Sequence, residues 1–292
     1  MSWQRTGTTV LDRYVLGAQI GIGGMSEVYH AIDPVGNRAV AVKLLSPAFA
    51  GDSRAREMAR REAWVIEQVR HPTVPVLYDH GDALLQEGVA VPCTVMELLT
   101  GVMLADRLLH GPLPWQESVR VTATIADALA VAHRRGIVHR DLTSGNLMMT
   151  QNGIKIIDFG LAGTIDRSQS ASDPMVFRTP GPGRRPQHDH AERTWNPDGL
   201  SDAASHGDPA DDIYSLGVLL YQMLTGRSPY PAAGPGDPPA AARQRRAAPT
   251  PVLTVPGMPR TVGDICRDCM AKRPADRPDS VAASLALWSL LV

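Results

Sequence analysis

Cysteine and lysine are both scarce in this sequence. The 292 residues include only three cysteines: Cys93, Cys266 and Cys269. An odd number this small excludes a fold held by a disulfide framework, and because the chain starts without a secretory signal we expect a cytoplasmic protein. Only three of the 29 basic residues are lysines: Lys43, Lys155 and Lys272. A lysine at a given position is therefore more informative than usual.

The sequence also lacks an excess of either charge and a long apolar run. Its 29 basic and 30 acidic residues give a net charge of -1, which supplies no general attraction for nucleic acid. The longest apolar stretch, Val281–Val292, is interrupted by serines and is shorter than the ~17 residues that a membrane-spanning helix needs. We therefore expect neither a nucleic-acid partner nor a membrane span in this chain.

The hydrophobic pattern changes near residue 100. Before that point, alternating or β-branched runs predict strands over 14–20, 27–33, 38–45, 75–80 and 89–96, with one helix over 53–70. Beyond it, helical spacing predicts helices over 115–135, 213–225 and 280–291. Two stretches without periodicity, 164–209 and 230–259, are rich in proline and small or polar residues. The sequence predicts an α+β fold, with a small β-rich lobe followed by a larger helical lobe.

A glycine-rich segment, Gly21-Ile22-Gly23-Gly24-Met25-Ser26, joins the first two predicted strands. It does not fit a Rossmann turn, because the glycines of such a turn open a helix. Glycines in a hairpin let backbone N–H groups approach phosphates closely. A plain tight turn has the same composition, so this segment alone leaves both interpretations open.

Lys43 lies in an otherwise apolar predicted strand, where its ammonium needs a partner. In the helix that follows, Ala59, Glu62, Ile66 and Val69 recur at helical spacing and form an inward stripe. Glu62 is the acidic member of that stripe. We therefore predict a Lys43–Glu62 ion pair, against the alternative of a snorkelling lysine and a rim glutamate.

Residues 146–158 place polar side chains at the two ends of a predicted hairpin that turns at 151–153. Positions 146 and 158 are equidistant from residue 152, so we predict that Asn146 and Asp158 lie side by side across the strands. An amide oxygen and a carboxylate together suit Mg²⁺. Asp141, shortly before Asn146, is placed to orient a hydroxyl and to take its proton.

Taken in order, these motifs resemble those of the eukaryotic-like (Hanks-type) protein kinases, particularly the bacterial serine/threonine kinases. The shared elements are the glycine loop, Lys43, Glu62, His139-Arg140-Asp141 with Asn146, Asp158-Phe159-Gly160, and Asp212-Ile213-Tyr214-Ser215-Leu216-Gly217. Six ordered elements from about Tyr14 to Trp288 are far more specific than one motif. The resemblance implies a two-lobed kinase domain over 14–292 after an N-terminal tail, 1–13. Its parts would be an N-lobe (14–96), a hinge (97–101), a C-lobe (102–292) and an activation segment (158–198).

The resemblance implies that ATP and Mg²⁺, or Mn²⁺ in its place, are the cofactors and that a protein serine or threonine is the acceptor. Asp141 would be the catalytic base, Lys43 held by Glu62 would contact the α- and β-phosphates, and Asn146 and Asp158 would bind the metal. The residues implied to contact the nucleotide are Ile20, Gly21, Gly23, Gly24, Ser26, Val28, Ala41, Lys43, Met96, Glu97, Leu99 and Met148. Autophosphorylation through self-association is a further implication.

Two further residues match family positions that hold other parts of the domain in place. Asp212 would hold the backbone of the catalytic loop, and Arg277 would anchor the end of the activation segment. Arg140 beside Asp141 implies control by activation-segment phosphorylation, because an arginine there can pair with a phosphate. The candidate acceptors are Thr164, Ser168, Ser170, Ser172 and Thr179, although ordinary serines in a solvated loop fit the same composition.

The sequence departs from the family pattern at two places. Thr143 replaces the lysine that serine/threonine kinases carry two residues after the catalytic aspartate, an absence that could cost roughly 10²–10³ in rate. Asn196-Pro197-Asp198 replaces the family's Ala-Pro-Glu, with Asp198 available to pair with Arg277. A pseudokinase that binds nucleotide and signals by shape is therefore the main alternative to an active kinase, and a small-molecule phosphotransferase is the third.

Three other motifs favour a structural interpretation. Cys266-x-x-Cys269 lacks a second ligand pair, so buried thiols are favoured over a zinc site. His188-Asp189-His190 is typical of a solvated loop, and Arg243-Gln244-Arg245-Arg246 is typical of a charged helix face.

Overall fold

The structure is a computed structural model that describes residues 6–85, 88–159, 162–165, 206–230 and 248–291. The described strands are β1 (Thr9–Val10), β2 (Tyr14–Ile22), β3 (Ser26–Asp33), β4 (Arg38–Leu45), β5 (Leu77–Leu84), β6 (Ala90–Glu97), β7 (Gly101–Met103), β8 (Ile137–Val138), β9 (Leu147–Thr150), β10 (Gly153–Ile156), β11 (Gly163–Ile165) and β12 (His206–Gly207). The described α-helices are α1 (Ser53–Gln68), α2 (Leu104–Leu108), α3 (Trp115–Arg134), α4 (Pro209–Thr225), α5 (Arg260–Cys269) and α6 (Ser280–Trp288). The two-lobed α+β fold predicted from the sequence is confirmed.

The N-lobe is a six-stranded antiparallel sheet in the order β1-β2-β3-β4-β6-β5, with α1 packed against it. β4 supplies its centre because Val40, Val42 and Leu44 alternate along the strand and are fully buried. Burial of that apolar face is the main contribution to the stability of this lobe. Asp52 precedes α1, and its carboxylate accepts hydrogen bonds from the N–H groups of Arg54 and Ala55 in the first turn.

The expected N-terminal boundary at residue 14 lies too late. β1 pairs with β2, and Val10 is buried in the core of the N-lobe. Arg13 donates to both carboxylate oxygens of Asp33 at 2.7 and 2.8 Å, and this hydrogen bonding is the main reason that the pKa of Asp33 lies far below its usual range. Residues 9–13 therefore belong to the lobe rather than to a tail.

α3 forms the centre of the C-lobe, between α4 and α6. Its predicted apolar face is confirmed, since Thr122, Ile125, Ala126, Leu129 and Ala132 are all buried. α4 starts four residues earlier than predicted because Pro209 occupies its first turn and Asp208 caps it. β5 starts later than predicted and continues to Leu84, and α6 ends earlier, at Trp288.

Cys266 and Cys269 lie in α5 and are fully buried free thiols, which confirms the structural interpretation of that motif. Burial raises the pKa of each to about 12. Among the described residues, no group of three or more His, Cys, Asp or Glu side chains could hold a metal ion. No described helix is both long and apolar enough to cross a membrane.

Two hydrogen bonds join the lobes close to the connecting chain at 98–100. The Ile156 N–H donates to the Thr73 carbonyl at 2.8 Å, and Lys155 Nζ donates to Glu97 Oε2 at 2.7 Å. Just beyond the connection, a Cβ atom at Gly101 would lie 2.1 Å from the Met149 carbonyl oxygen. Only glycine therefore fits the point where the chain enters the C-lobe.

Candidate active site

The glycine-rich segment closes a hairpin between β2 and β3. Gly21 lies opposite Val28, and the Gly23 N–H donates to the Ser26 carbonyl at 2.7 Å. Gly24 faces open space, and Ile20 before the turn is half exposed. The loop therefore presents backbone and small side chains above the region between the lobes.

The strand register brings several of the predicted nucleotide-contacting residues to one face of the N-lobe sheet. Lys43 pairs with Val28 on one side and with Thr94 on the other, and Ala41 pairs with Met96. Because Ala41 and Lys43 are two residues apart in β4, they point to the same face. The sequence did not show which residues of β3 and β6 lie beside Ala41 and Lys43, since strand register depends on pairing across distant segments.

The predicted Lys43–Glu62 pair is confirmed. Lys43 Nζ lies 2.5 Å from Glu62 Oε1 and 2.7 Å from Oε2, and it is also 3.7 Å from Asp158 Oδ1. Burial opposes the charge on Lys43, but the two carboxylates outweigh it and raise the pKa of the ammonium. Burial raises the pKa of Glu62, and the charge of Lys43 opposes that shift. Lys43 thus remains a cation that links α1 to the start of the Asp158 segment.

The predicted side-by-side placement of Asn146 and Asp158 is wrong by one residue. Thr150 pairs with Gly153 and Leu147 with Ile156, so the hairpin turns between residues 151 and 152. The Asn146 carbonyl accordingly accepts a hydrogen bond from the Ile157 N–H at 2.9 Å. Asp158 therefore lies one residue beyond the position opposite Asn146. The shift arises because Gly153, with φ of 108°, is the first residue of β10 rather than part of the turn.

Asn146 is tied directly to Asp141. Its Nδ2 donates to the Asp141 carbonyl at 2.8 Å and to Asp141 Oδ2 at 3.0 Å. Using the amide nitrogen in this way leaves the amide oxygen of Asn146 to act as an acceptor. The two residues form one rigid polar unit at the end of the catalytic loop.

Asp212 holds the segment that precedes Asp141, as its position in the family pattern implied. It is fully buried, and it accepts the Arg140 N–H at Oδ1 and the His139 N–H at Oδ2, at 2.8 Å each. His133 Nε2 also lies 2.8 Å from Oδ2. Arg140 has a φ of 69°, a left-handed backbone that is unfavourable for a non-glycine residue. The Asp212 carboxylate therefore stabilises a strained backbone one residue before Asp141.

The connecting chain between the lobes begins at Glu97. The backbone N–H of Glu97 donates to the Val76 carbonyl at 2.8 Å, and its carboxylate accepts from Lys155 and from the Val76 N–H. Its N–H is thus already used, which leaves the carbonyl as the backbone group that it can offer to a ligand. Met96 is buried, and Leu99 and Met148 are half-buried.

A cavity of about 280 Å³ lies beneath the glycine loop. Lys43, Glu62, Asp141 and Asp158 all line it. The cavity therefore brings together four of the five predicted catalytic residues, and Asn146 adjoins it through its bonds to Asp141. Carboxylate and amide oxygens are the donors that Mg²⁺ takes, so this set fits that ion.

Arg61 and Arg140 form a basic pair that sequence reasoning missed. Burial, and then the charge of Arg140, lower the pKa of Arg61, whose Nη2 is buried without a hydrogen-bond partner among the described residues. The sequence places Arg61 directly before Glu62 on α1. It does not show that the Arg61 side chain lies near Arg140, because that depends on where α1 meets the catalytic loop.

Several predictions lie outside the described residues. They concern Gly160, the candidate acceptors Ser168, Ser170, Ser172 and Thr179, the Asn196-Pro197-Asp198 segment, His188, His190 and the Arg243–Arg246 run. Arg277, expected to pair with Asp198, donates to the carbonyls of Ala271 and Ala210 at 2.9 and 2.7 Å. Arg277 is therefore anchored at the start of α4.

Comparison with known proteins identifies relatives over almost the whole chain. A probable serine/threonine-protein kinase of Corynebacterium efficiens is 34% identical over 292 residues, covering 97% of this chain and 42% of the relative. Serine/threonine-protein kinase PknB of Mycobacterium leprae is 34% identical, covering 93% of this chain and 42% of the relative. PknA of Mycobacterium tuberculosis is 32% identical, covering 94% of this chain and 60% of the relative. This chain thus spans about two fifths to three fifths of the length of these relatives.

A solved structure shows the same fold. The crystal structure of a mutant PknI kinase domain from Mycobacterium tuberculosis superimposes with a TM-score of 0.64 over 99% of both chains, at 24% identity. Residues 14–288 match the family described as protein kinase domain. With that match covering the glycine loop, the Lys43–Glu62 pair and the Asp141 loop, the chain belongs to the protein kinase domain family, and its relatives are bacterial serine/threonine-protein kinases.

Proposed function

We propose that this chain is an ATP- and Mg²⁺-dependent protein kinase that transfers the γ-phosphoryl group of ATP to serine or threonine hydroxyls. The observation that carries the proposal is that Lys43, Asp141 and Asp158 line one cavity, with Lys43 bridging Glu62 and Asp158. Phosphoryl transfer needs positioning and charge neutralisation more than covalent chemistry, and this arrangement supplies both.

Each residue has a defined part in the proposed reaction. The backbone of the glycine loop covers the phosphates, and Lys43, kept charged and fixed by Glu62, contacts them. Asp141 accepts a hydrogen bond from the acceptor hydroxyl and takes its proton late in the transfer. Asn146 fixes Asp141 through its two hydrogen bonds, while Ala41, Val28, Met96 and Met148 enclose the adenine.

Asn146 and Asp158 would hold Mg²⁺, or Mn²⁺, through oxygen atoms. When bound, the metal supplies positive charge that offsets the charge on the phosphates. The chain itself orients the oxygen atoms, because the Nδ2 of Asn146 donates to Asp141 and leaves the amide oxygen for the ion.

Phosphorylation of the activation segment is proposed as the control of this site. The support is the basic pair of Arg61 and Arg140, since burial and then the charge of Arg140 lower the pKa of Arg61. A phosphate between two guanidinium groups would relieve that repulsion and fix α1 against the catalytic loop. The phosphate would come from autophosphorylation between self-associating copies, with Thr164 among the candidate acceptors.

A phosphorylation assay followed by mass spectrometry tests the proposal. We expect the purified chain with Mg²⁺-ATP to place phosphate on serine or threonine of itself or of an added peptide mixture. Asp141→Asn and Lys43→Met should abolish the signal, whereas Asp264→Asn, at an exposed helix position, should not. Phosphate that persists in Asp141→Asn, or binding of ATP with no phosphorylated protein, would refute the proposed activity.

We also propose that the chain resides in the reducing cytoplasm. The support is that Cys93, Cys266 and Cys269 are all free and buried. Cell fractionation with detection of the native protein tests this location, and recovery from an oxidising compartment would refute it.

A further inference from the structure

A cavity of about 240 Å³ lies between α3, α6 and the segment that joins α1 to β5. It shares no lining residue with the cavity beneath the glycine loop. Its α3 wall consists of Asp127, Ala130, Val131 and Arg134, whose spacing of three and four residues places them on one face of the helix. The cavity is therefore separate from the proposed nucleotide site.

The two ends of the α3 wall carry opposite charges. Asp127 and Arg134 are seven residues apart, or about 10 Å along the helix axis, which is too far for a direct ion pair. Asp127 accepts hydrogen bonds from the Ser284 hydroxyl and from Trp288 Nε1, and neither donor is charged. Arg134 is exposed and makes no hydrogen bond or ion pair with any residue that the structure describes. Each end thus offers a charge without a charged partner.

The surface between these two charges is apolar. Ala130 is buried and Val131 is half-buried on α3, and Val281 and Leu285 face them from α6. Val281 and Leu285 are 44% and 67% exposed, so the cavity opens to solvent and a ligand can enter. An aliphatic chain that covers these side chains removes apolar surface from water, which favours binding.

His71 forms the third wall and is fixed in place. Its Nδ1 accepts a hydrogen bond from the Thr73 N–H at 3.2 Å, and the Thr73 carbonyl accepts one from the Ile156 N–H of the C-lobe at 2.8 Å. Burial lowers the pKa of His71, and the charge of Asp127 opposes that shift. A neutral imidazole adds no third charge to the cavity. A wall that is already ordered reduces the cost of binding.

We propose that this cavity binds a small linear zwitterion, in which an aliphatic chain separates an ammonium group from a carboxylate group. The ammonium would lie at Asp127, the chain along Ala130 and Val131, and the carboxylate at Arg134. A ligand that spans the about 10 Å between the two charges needs a chain of about five methylene groups, once a hydrogen bond at each end is counted.

The inference does not rest on the proposed kinase activity, because the two cavities have no residue in common. His71 lies two residues from Thr73, where the segment is bonded to the C-lobe. Movement of the lobes about that bond changes the cavity little. We therefore expect the affinity for the zwitterion to be the same with and without Mg²⁺ and a non-hydrolysable ATP analogue.

Four probes test the ligand class: ε-aminocaproate, caproate, pentylamine and glycine. Their binding to the whole chain is measured by ligand-detected NMR and calorimetry. We expect ε-aminocaproate to bind about fivefold more tightly than caproate or pentylamine, because each of those lacks one of the two exposed ion pairs. Glycine carries both charges on adjacent groups and cannot span the cavity, so it should not bind.

Two neighbouring arginines provide the matched comparison. Arg134→Gln should weaken ε-aminocaproate and caproate about fivefold and leave pentylamine unchanged. Arg135→Gln, at an exposed position that does not line the cavity, should change none of them. Ala130→Leu fills the cavity and should abolish binding of all the probes. Because Arg134 is exposed, its variant decides the inference even if Ala130→Leu fails to fold.

Three results would overturn the inference. They are no binding of ε-aminocaproate at about 10 mM, equal affinity for ε-aminocaproate and the singly charged probes, and equal effects of Arg134→Gln and Arg135→Gln. Displacement of ε-aminocaproate by the ATP analogue would also overturn it, by placing the probe in the nucleotide cavity. None of these results bears on the kinase proposal, which the phosphorylation assay decides without the probes.

Discussion

Asp212→Asn should separate the support of the catalytic loop from its chemistry. In the native protein one carboxylate oxygen accepts the Arg140 N–H, and the other accepts the His139 N–H and contacts His133. An asparagine has one acceptor oxygen in place of two, so one backbone N–H then faces an amide N–H. An unsatisfied buried donor costs about 1–3 kcal/mol, and we expect unfolding free energy to fall by that amount.

The kcat of Asp212→Asn should fall by more than the loss of folded protein accounts for. Arg140 keeps its left-handed backbone because Asp212 holds its N–H, and that conformation costs about 1–3 kcal/mol. Once the hydrogen bond is lost, the backbone relaxes and displaces Asp141, which follows directly in sequence. We expect kcat to fall at least about tenfold with little change in the KM for ATP, because a displacement of the base affects the transition state more than nucleotide binding.

Asp127→Asn is the matched control for this experiment. Asp127 is also a carboxylate that accepts from two side chains, Ser284 and Trp288, but it lies between α3 and α6, away from the catalytic loop. Urea denaturation and steady-state kinetics of both variants give the comparison. The reasoning is refuted if Asp212→Asn leaves kcat unchanged, or if Asp127→Asn lowers kcat as much.

Three further substitutions test other parts of the site. Glu62→Gln leaves Lys43 without its nearest buried charge partner, so the free energy of unfolding should fall by about 3 kcal/mol and ATP binding should weaken. Denaturation and calorimetry measure the two effects, and unchanged values would contradict the importance of the pair. Thr143→Lys restores a donor near the transferred phosphate and should raise kcat by about 10-fold or more, whereas no gain would show that the position is not aimed at the phosphate. Gly101→Ala forces a Cβ against the Met149 carbonyl and should lower the unfolding free energy by about 1–3 kcal/mol in thermal denaturation, so a fully stable variant would contradict the close approach.

The parts of the site that depend on local periodicity could be predicted from the sequence. Glu62 was identified because the apolar stripe of α1 repeats every three or four residues, and Lys43 because an ammonium in an apolar strand needs a partner. The same argument applies to Lys155, which lies between Ile154 and Ile156 and pairs with Glu97. Its partner could not be identified because the two residues come from different lobes.

Other features depended on details that sequence does not determine. The hairpin register was wrong because a shift of one residue in the turn reassigns every cross-strand pair, and the choice depends on the backbone of Gly153. The cavity beneath the glycine loop and the proximity of Arg61 to Arg140 depend on the angle at which α1 meets the sheet and the loop. The hydrophobic periodicity of the sequence does not determine that angle.

The hydrogen bond between Ile156 and Thr73 limits how the cleft can open. Ile156 is bonded to Thr73 of the N-lobe, and Asp158 follows only two residues later. The Ile157 N–H donates to the Asn146 carbonyl, and Asn146 donates to Asp141, so a rotation of the N-lobe about this point would leave Asp158 with Asp141 in the helical lobe and would move Lys43. Release of spent nucleotide would therefore widen the 3.7 Å gap between Lys43 and Asp158 and leave the spacing between Asp141 and Asp158 almost constant.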